Sequence, residues 1–105
     1  MEESFIISPG KDHEIARDCL VRVEGFSVIS DVSDNIGKRL NIFAEINTKT
    51  RDKREVHNKI VIASLILGKD WEHEANLMFS PSDNATLTCE GPNVDVQCIY
   101  TQHEA

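Results

Sequence analysis

The sequence is poor in cysteine, in aromatic side chains and in long apolar runs. Its 105 residues include three cysteines, and 6% of them are aromatic. No apolar run approaches the roughly eighteen residues that indicate a membrane-spanning helix. The opening Met1-Glu2-Glu3 lacks the basic and apolar regions of a secretory signal. We therefore expect a single domain over residues 1–105, with no membrane partner.

The cysteines are too widely spaced to indicate a metal site. Cys19, Cys89 and Cys98 form no CxxC pair, and no histidine lies at a metal-ligand interval from any of them. The sequence predicts free, partly buried thiols in a reducing compartment. A Cys89–Cys98 disulfide between neighbouring strands is the open alternative.

No catalytic motif is visible. The sequence contains no GxGxxG, P-loop or GxSxG pattern, and its four histidines lie in polar surroundings. In a strand, Glu72 and Glu74 would point away from His73, so these three do not converge on a metal. We expect no catalytic residue, no cofactor-binding residue, no metal ligand and no enzymatic activity.

The charge balance is acidic. There are 18 Asp and Glu residues against 11 Lys and Arg, for a net charge of −7. This balance disfavours direct binding to nucleic acid and favours basic partners.

Apolar residues alternate with polar ones along several short segments. Leu40, Ile42, Ala44 and Ile46 share one face at a period of two, as do the apolar residues of 75–79, 85–89 and 94–98. At Gly25 the alternation changes phase, which predicts a β-bulge or bend. About eight short strands separated by turn residues indicate a sandwich or barrel. Residues 12–19 are compatible with one helical turn.

Residues 60–67 are apolar on both faces. A strand of this kind is either the central strand of the core or an outer strand whose second face meets another subunit. The residues concerned are Ile60, Val61, Ile62, Ala63, Leu65, Ile66 and Leu67. The sequence slightly favours the central position.

One segment opposes the overall charge. Lys49, Arg51, Lys53 and Arg54 lie between two predicted strands, and the five cations of residues 49–59 face two carboxylates. The simplest interpretation is a solvated hairpin loop. The functional alternative is a contact site for phosphate or for an acidic protein surface.

Four stretches occur in an order and at a spacing that match a known family. They are Phe5-Ile6-Ile7-Ser8-Pro9-Gly10-Lys11, Ile62-Ala63-Ser64-Leu65, Ala75-Asn76-Leu77-Met78-Phe79 and Gly91-Pro92-Asn93-Val94-Asp95-Val96. Together they resemble the core domain of the nucleoplasmin family, which also occurs in some nuclear FK506-binding prolyl isomerases and in plant HD2 proteins. The resemblance implies an all-β, eight-stranded jelly-roll β-sandwich that forms a ring-shaped pentamer, in some cases stacked as a decamer. One face of residues 60–67 would then pack against the neighbouring subunit.

The resemblance also implies a function. It is that of a histone chaperone core in the nucleus, and secondarily in the cytoplasm, which binds histones or other basic proteins through charge and avidity. The acidic residues expected to contact the partner are Asp31, Asp34, Asp70, Glu72 and Glu74. The family's acidic tract is reduced here to Asp31, Asp34 and their neighbours.

Two other functions stay open. The chain is alternatively an oligomerisation scaffold of a larger nuclear or RNA-regulatory protein, with little histone binding. A monomeric β-sandwich adaptor is the third interpretation, and it requires residues 60–67 to be fully internal.

Overall fold

The computed structural model describes residues 2–49 and 51–103, which form two four-stranded antiparallel sheets. The strands are β1 (Glu2–Ile7), β2 (His13–Glu14), β3 (Leu20–Val28), β4 (Arg39–Lys49), β5 (Glu55–Ile66), β6 (Glu72–Phe79), β7 (Thr86–Glu90) and β8 (Val96–His103). A short 3₁₀ turn, Pro81–Asp83, precedes β7. The all-β sandwich predicted from the alternation is confirmed.

The strands pair in the pattern of a jelly roll. The first sheet has the order β1–β8–β3–β6 and the second the order β2–β7–β4–β5. Strand β1 pairs with β8, β2 with β7, β3 with β6 and β4 with β5, all antiparallel. The chain therefore behaves as a ribbon of paired strands wound around a core, with the β4–β5 hairpin at one end of the ribbon.

The apolar residues that alternate with polar ones along the strands form the core between the two sheets. Leu40, Ile42 and Ala44 of β4 are buried, and so are Val96 and Cys98 of β8. Buried residues of both sheets belong to one hydrophobic cluster. The segments that showed a period of two in the sequence thus turn one face to the core.

Gly25 lies at a β-bulge, as its change of phase predicted. The register of β3 against both β6 and β8 shifts between Val23 and Gly25. A Cβ atom at Gly25 would lie 2.9 Å from the backbone oxygen of His73. Glycine is required here because the neighbouring backbone approaches too closely for a side chain.

Strand β5 is not the central strand that the sequence favoured, and that prediction is wrong. It lies at the edge of the second sheet, paired with β4 alone. Ala63 and Leu65 are buried, but Ile60 is 48% exposed and Val61 is 53% exposed. The register shifts between Ile42 and Phe43 and skips Ile62, so Val61 does not share a face with Ala63 as strict alternation would require.

The helical turn considered for residues 12–19 does not form. His13 and Glu14 make the short strand β2. The Ile15 amide donates to the Ala85 carbonyl at 3.0 Å, so β-type bonding takes the place of a helical bond. Ala16 follows with a φ of 54°.

An aromatic stack joins the two sheets near β2. The His13 ring of the second sheet lies 3.6 Å from the Phe5 ring of the first, measured between ring centroids, at an angle of 5°. The ring of Tyr100, which belongs to β8, has its centroid 5.3 Å from that of the Phe5 ring. Burial lowers the pKa of His13 below its ordinary value of 6.5.

Candidate functional site

Three of the predicted acidic contact residues lie in connections between strands. Asp31 and Asp34 belong to the β3–β4 connection and Asp70 to the β5–β6 connection. The Leu67 amide donates to the Lys38 carbonyl at 2.9 Å, which ties these connections together at one end of the sandwich. The structure thus brings the three aspartates to the same end.

Two of these aspartates have structural contacts. An Asp31 carboxylate oxygen accepts the Ser33 amide at 2.9 Å, and this hydrogen bond lowers the pKa of Asp31. An Asp70 oxygen accepts the Ile66 amide at 2.9 Å, closing the turn between β5 and β6. Asp70 therefore shapes the turn, and its substitution would disturb the backbone as well as the charge.

The two predicted glutamates lie on the outer face of β6. Glu72 pairs with Ser27 and Glu74 with Gly25. His73 between them is half-buried and belongs to the other face, as the alternation predicted.

The outer face of the first sheet carries a shallow acidic groove. Its volume is about 190 Å³, and none of its lining residues is a lysine or an arginine. The lining residues are Glu2, Glu24, Gly25, Phe26, Ser27, Glu72, His73, Glu74 and Ile99. Gly25 has no side chain, so the surface is depressed at this position. The carboxylates of four glutamates surround the depression. We call this feature the Gly25 groove.

Sequence reasoning missed two residues of the Gly25 groove. Glu2 and Glu24 come from β1 and β3, far in sequence from Glu72 and Glu74. Glu24 accepts a hydrogen bond from the Thr101 hydroxyl at 3.1 Å. Alternation gives the face of each residue within a strand, but the alignment of β3 against β6 and β8 depends on the bulge at Gly25. No local signal could have shown that the four carboxylates meet.

The predicted oligomer-interface residues divide into two groups. Ala63, Leu65 and Leu67 are buried in the core of the chain itself, so they are not available to a neighbour. Ile62 is partly buried and contacts that core. Ile60 and Val61 are exposed, and Ile66 is half-buried.

Val61 lies beside another apolar side chain on the outer face of the second sheet. Val61 pairs with Phe43, which in turn pairs with Thr88 of β7. The Thr88 hydroxyl is buried without a hydrogen-bond partner among the described residues. Ile60 pairs with the buried Ala44 and so belongs to the opposite face. We call the outer surface formed by Phe43 and Val61 the β5 edge surface.

The basic residues lie at the tip of the β4–β5 hairpin and are exposed, as predicted. Strand β4 pairs with β7 only from Asn41 to Glu45, so the outer part of the hairpin extends beyond its neighbour. Lys53 has a φ of 66°, typical of a turn, and Arg54 lies 3.3 Å from Asp52. Lys49 and Arg51 flank Thr50, which lies outside the described residues.

The described residues contain no arrangement suited to metal binding. Within 2–49 and 51–103, no group of three or more His, Cys, Asp or Glu side chains is placed to hold an ion. The three cysteines are free, so the Cys89–Cys98 disulfide is absent. Burial raises the pKa of Cys89 to about 11 and that of Cys98 to about 12. In the same part of the chain, no helix has the length and apolar character needed to cross a membrane.

Comparison with solved structures identifies the fold. The Drosophila NLP core, studied for pentamer formation and histone binding, superposes with a TM-score of 0.71 at 8% sequence identity over 99% of each chain. The nucleoplasmin-like N-terminal domain of Drosophila FKBP39 superposes with a TM-score of 0.67 at 13% identity, over 100% of this chain and 90% of that one. The chain has the nucleoplasmin-like core fold.

Comparison by sequence gives no further match. No protein-family model matches the chain, and neither does any curated protein. The fold is therefore shared at a level of identity where function does not follow from the fold.

Proposed function

We propose that this chain is the core of an oligomeric histone chaperone of the nucleoplasmin type, which binds basic proteins by charge and avidity. The observation that carries the proposal is the Gly25 groove, in which four carboxylates surround a depression without any lysine or arginine. The superposition on the NLP core, a pentamer-forming and histone-binding protein, supports it. The proposed location is the nucleus.

The proposed assembly is a ring of five chains, or ten where two rings stack. Strand β5 is an edge strand with two large apolar side chains exposed, and an uncovered edge of this kind promotes aggregation. A neighbouring copy that covers the β5 edge surface removes this hazard. In a closed ring, every copy has its β5 edge surface covered in this way.

The proposed mechanism involves no chemical step. Each chain has a net charge of −7, and a ring repeats the Gly25 groove once per subunit. Several weak ionic contacts to one Lys- and Arg-rich protein then act together, because the second contact forms at high effective concentration. Such binding weakens as salt is added. It would shield a histone from premature contact with DNA and release it to competing DNA.

The test is suppression of histone–DNA aggregation by the purified chain. The double variant Glu72→Gln, Glu74→Gln removes two groove charges, and we expect it to lose most of the activity. The control, Glu14→Gln with Glu55→Gln, removes the same charge from exposed positions of the second sheet. Equal loss in both variants would show a net-charge effect, and no loss in either would contradict the proposed groove.

The basic hairpin tip favours a second candidate function. Lys49, Arg51, Lys53 and Arg54 form a surface that does not suit a histone. A scaffold that gathers copies of a larger nuclear or RNA-regulatory protein would use this tip to contact phosphate or an acidic protein surface. Such a scaffold remains oligomeric but does not protect histones from aggregating with DNA, so the same assay separates the two functions.

A further inference from the structure

Three large apolar side chains are exposed at one end of the sandwich. Ile29 is 50% exposed, Ile36 is 68% exposed and Trp71 is 49% exposed. All three belong to two segments, residues 28–38 and 67–74, which contain the β3–β4 and β5–β6 connections. Isolated apolar side chains are ordinary on protein surfaces, but a concentration of them marks a contact surface. We call these two segments together the Trp71 surface.

Backbone hydrogen bonds join the two segments of the Trp71 surface. The Val28 amide donates to the Trp71 carbonyl at 2.9 Å, and the Gly37 amide donates to the Leu67 carbonyl at 2.8 Å. Ile36 lies over Gly68, where an added Cβ atom would be 3.1 Å from an Ile36 methyl carbon. The exposed side chains therefore stand on a preorganised backbone, which reduces the entropic cost of binding.

The two segments that carry these apolar side chains are also rich in carboxylates. The two segments contain five Asp and Glu residues and two lysines, for a net charge of −3. Glu72 and Glu74 are among the five, and they also line the Gly25 groove. The Trp71 surface and the Gly25 groove thus share two residues of β6. A partner that fits it must combine positive charge with an apolar side chain.

We propose that the Trp71 surface docks a basic segment of the partner protein that carries one apolar side chain among its Lys and Arg residues. The apolar side chain contacts Trp71 and Ile36, while the cations face Asp31, Asp34 and Glu72. The indole face also attracts a guanidinium or ammonium group directly. This inference rests on the proposed function for the basic nature of the partner. It adds an apolar anchor to a site that charge alone would leave unspecific.

The chain contains one tryptophan, so Trp71 itself reports the binding. The probe is a synthetic peptide of several Lys and Arg residues with one central Leu and no aromatic residue, labelled for fluorescence anisotropy. We expect the Trp71 emission to shift to shorter wavelength and to become less accessible to acrylamide as the peptide binds. A peptide with Ser in place of the Leu is expected to bind several-fold more weakly.

Two variants distinguish the loss of a specific contact at Trp71 from the loss of any exposed apolar side chain. Trp71→Ala should weaken peptide binding about tenfold, the order expected for a central aromatic contact, and should leave its salt dependence unchanged. Met78→Ala is the control, because Met78 is 47% exposed and lies on β6, outside the Trp71 surface. It should bind like the original chain. Urea unfolding of both variants confirms that each is folded.

Three outcomes would overturn the inference, and they differ in whether the proposed function is retained. Peptide binding with no change in Trp71 emission would leave the proposed function intact and reject this docking surface. Failure to bind either the peptide or histones would reject both. A lower native mass for Trp71→Ala would show that the surface is a contact between copies of the chain.

Discussion

The Lys59 ammonium lies 2.6 Å from a Glu90 carboxylate oxygen and 4.4 Å from the centroid of the Phe43 ring. Lys59 belongs to β5 and Glu90 to β7, and β4 with Phe43 lies between them. The contact therefore crosses three strands on the outer face and joins the edge strand to the interior of the sheet. The Glu90 hydrogen bond raises the pKa of Lys59 above its ordinary value of 10.5.

Lys59→Gln is expected to lower the free energy of unfolding by a small amount, because the pair is exposed to solvent. The folded chain holds this proton more tightly than the unfolded chain. The contribution of the ammonium is therefore complete below pH of about 10.5 and is lost as the pH rises through the raised pKa. A double-mutant cycle with Glu90→Gln, measured by urea unfolding, should give a coupling that shrinks in high salt. A coupling independent of salt would contradict an ionic contact.

Val61→Glu is expected to dissociate the assembly without unfolding the chain. Val61 is 53% exposed, so the added charge is tolerated in a single chain but not beneath a neighbouring subunit. Light scattering should report five copies of 11.8 kDa, about 59 kDa, or about 118 kDa for two stacked rings, for the original chain and a mass near 11.8 kDa for the variant. Ile6→Glu is the matched control, because Ile6 is also 53% exposed but lies on β1. Dissociation of the control as well, or of neither, would count against the β5 edge surface.

Gly25→Ala is expected to destabilise the chain by about 1–3 kcal/mol, since the new methyl group would meet the His73 carbonyl oxygen at 2.9 Å. The neighbouring Ser27→Ala on the same strand should stay within about 0.5 kcal/mol of the original chain. Urea unfolding measures both. Indistinguishable values would show that the bulge relaxes to accept a side chain.

Cys19 is expected to be the first cysteine to react with iodoacetamide in the folded chain. It is partly exposed, whereas burial raises the pKa of Cys89 to about 11 and that of Cys98 to about 12. At mildly alkaline pH the buried thiols carry almost no thiolate, which is the reactive form. Intact mass should show one adduct under native conditions and three in urea. Early labelling of Cys98 would indicate that the two sheets open locally.

The stability of the chain is expected to fall as the pH drops below about 6.5. Burial against Phe5 lowers the pKa of His13, so the unfolded chain binds this proton more readily than the folded chain. The stabilisation is present above the ordinary pKa of 6.5 and is lost as acidification protonates the unfolded state. Urea midpoints at neutral and mildly acidic pH should differ less for His13→Phe than for the original chain. His103→Gln, at an exposed histidine, should leave the difference unchanged.

Alternation along single strands was sufficient to predict the all-β sandwich, the bulge at Gly25 and the placement of Glu72 and Glu74 on the face opposite His73. The position of β5 at an edge was not predictable in this way, because an apolar face looks the same in sequence whether a sheet or another subunit covers it. The meeting of Glu2 and Glu24 with Glu72 and Glu74 depends on inter-strand register, which the bulge at Gly25 shifts against both β6 and β8. Trp71 was missed because a single aromatic residue beside a turn is common, and Ile36, at the same end of the sandwich, is far away in sequence.

The position of β8 has a consequence for synthesis on the ribosome. It lies between β1 and β3 in the first sheet, and its residues 96–103 are translated after the other seven described strands. Until they emerge, β1 and β3 each present an unpaired edge, and the core lacks Val96 and Cys98. The nascent domain therefore completes its first sheet only when its eighth strand has emerged, which makes co-translational protection by a chaperone more important for this topology than for one built from consecutive hairpins.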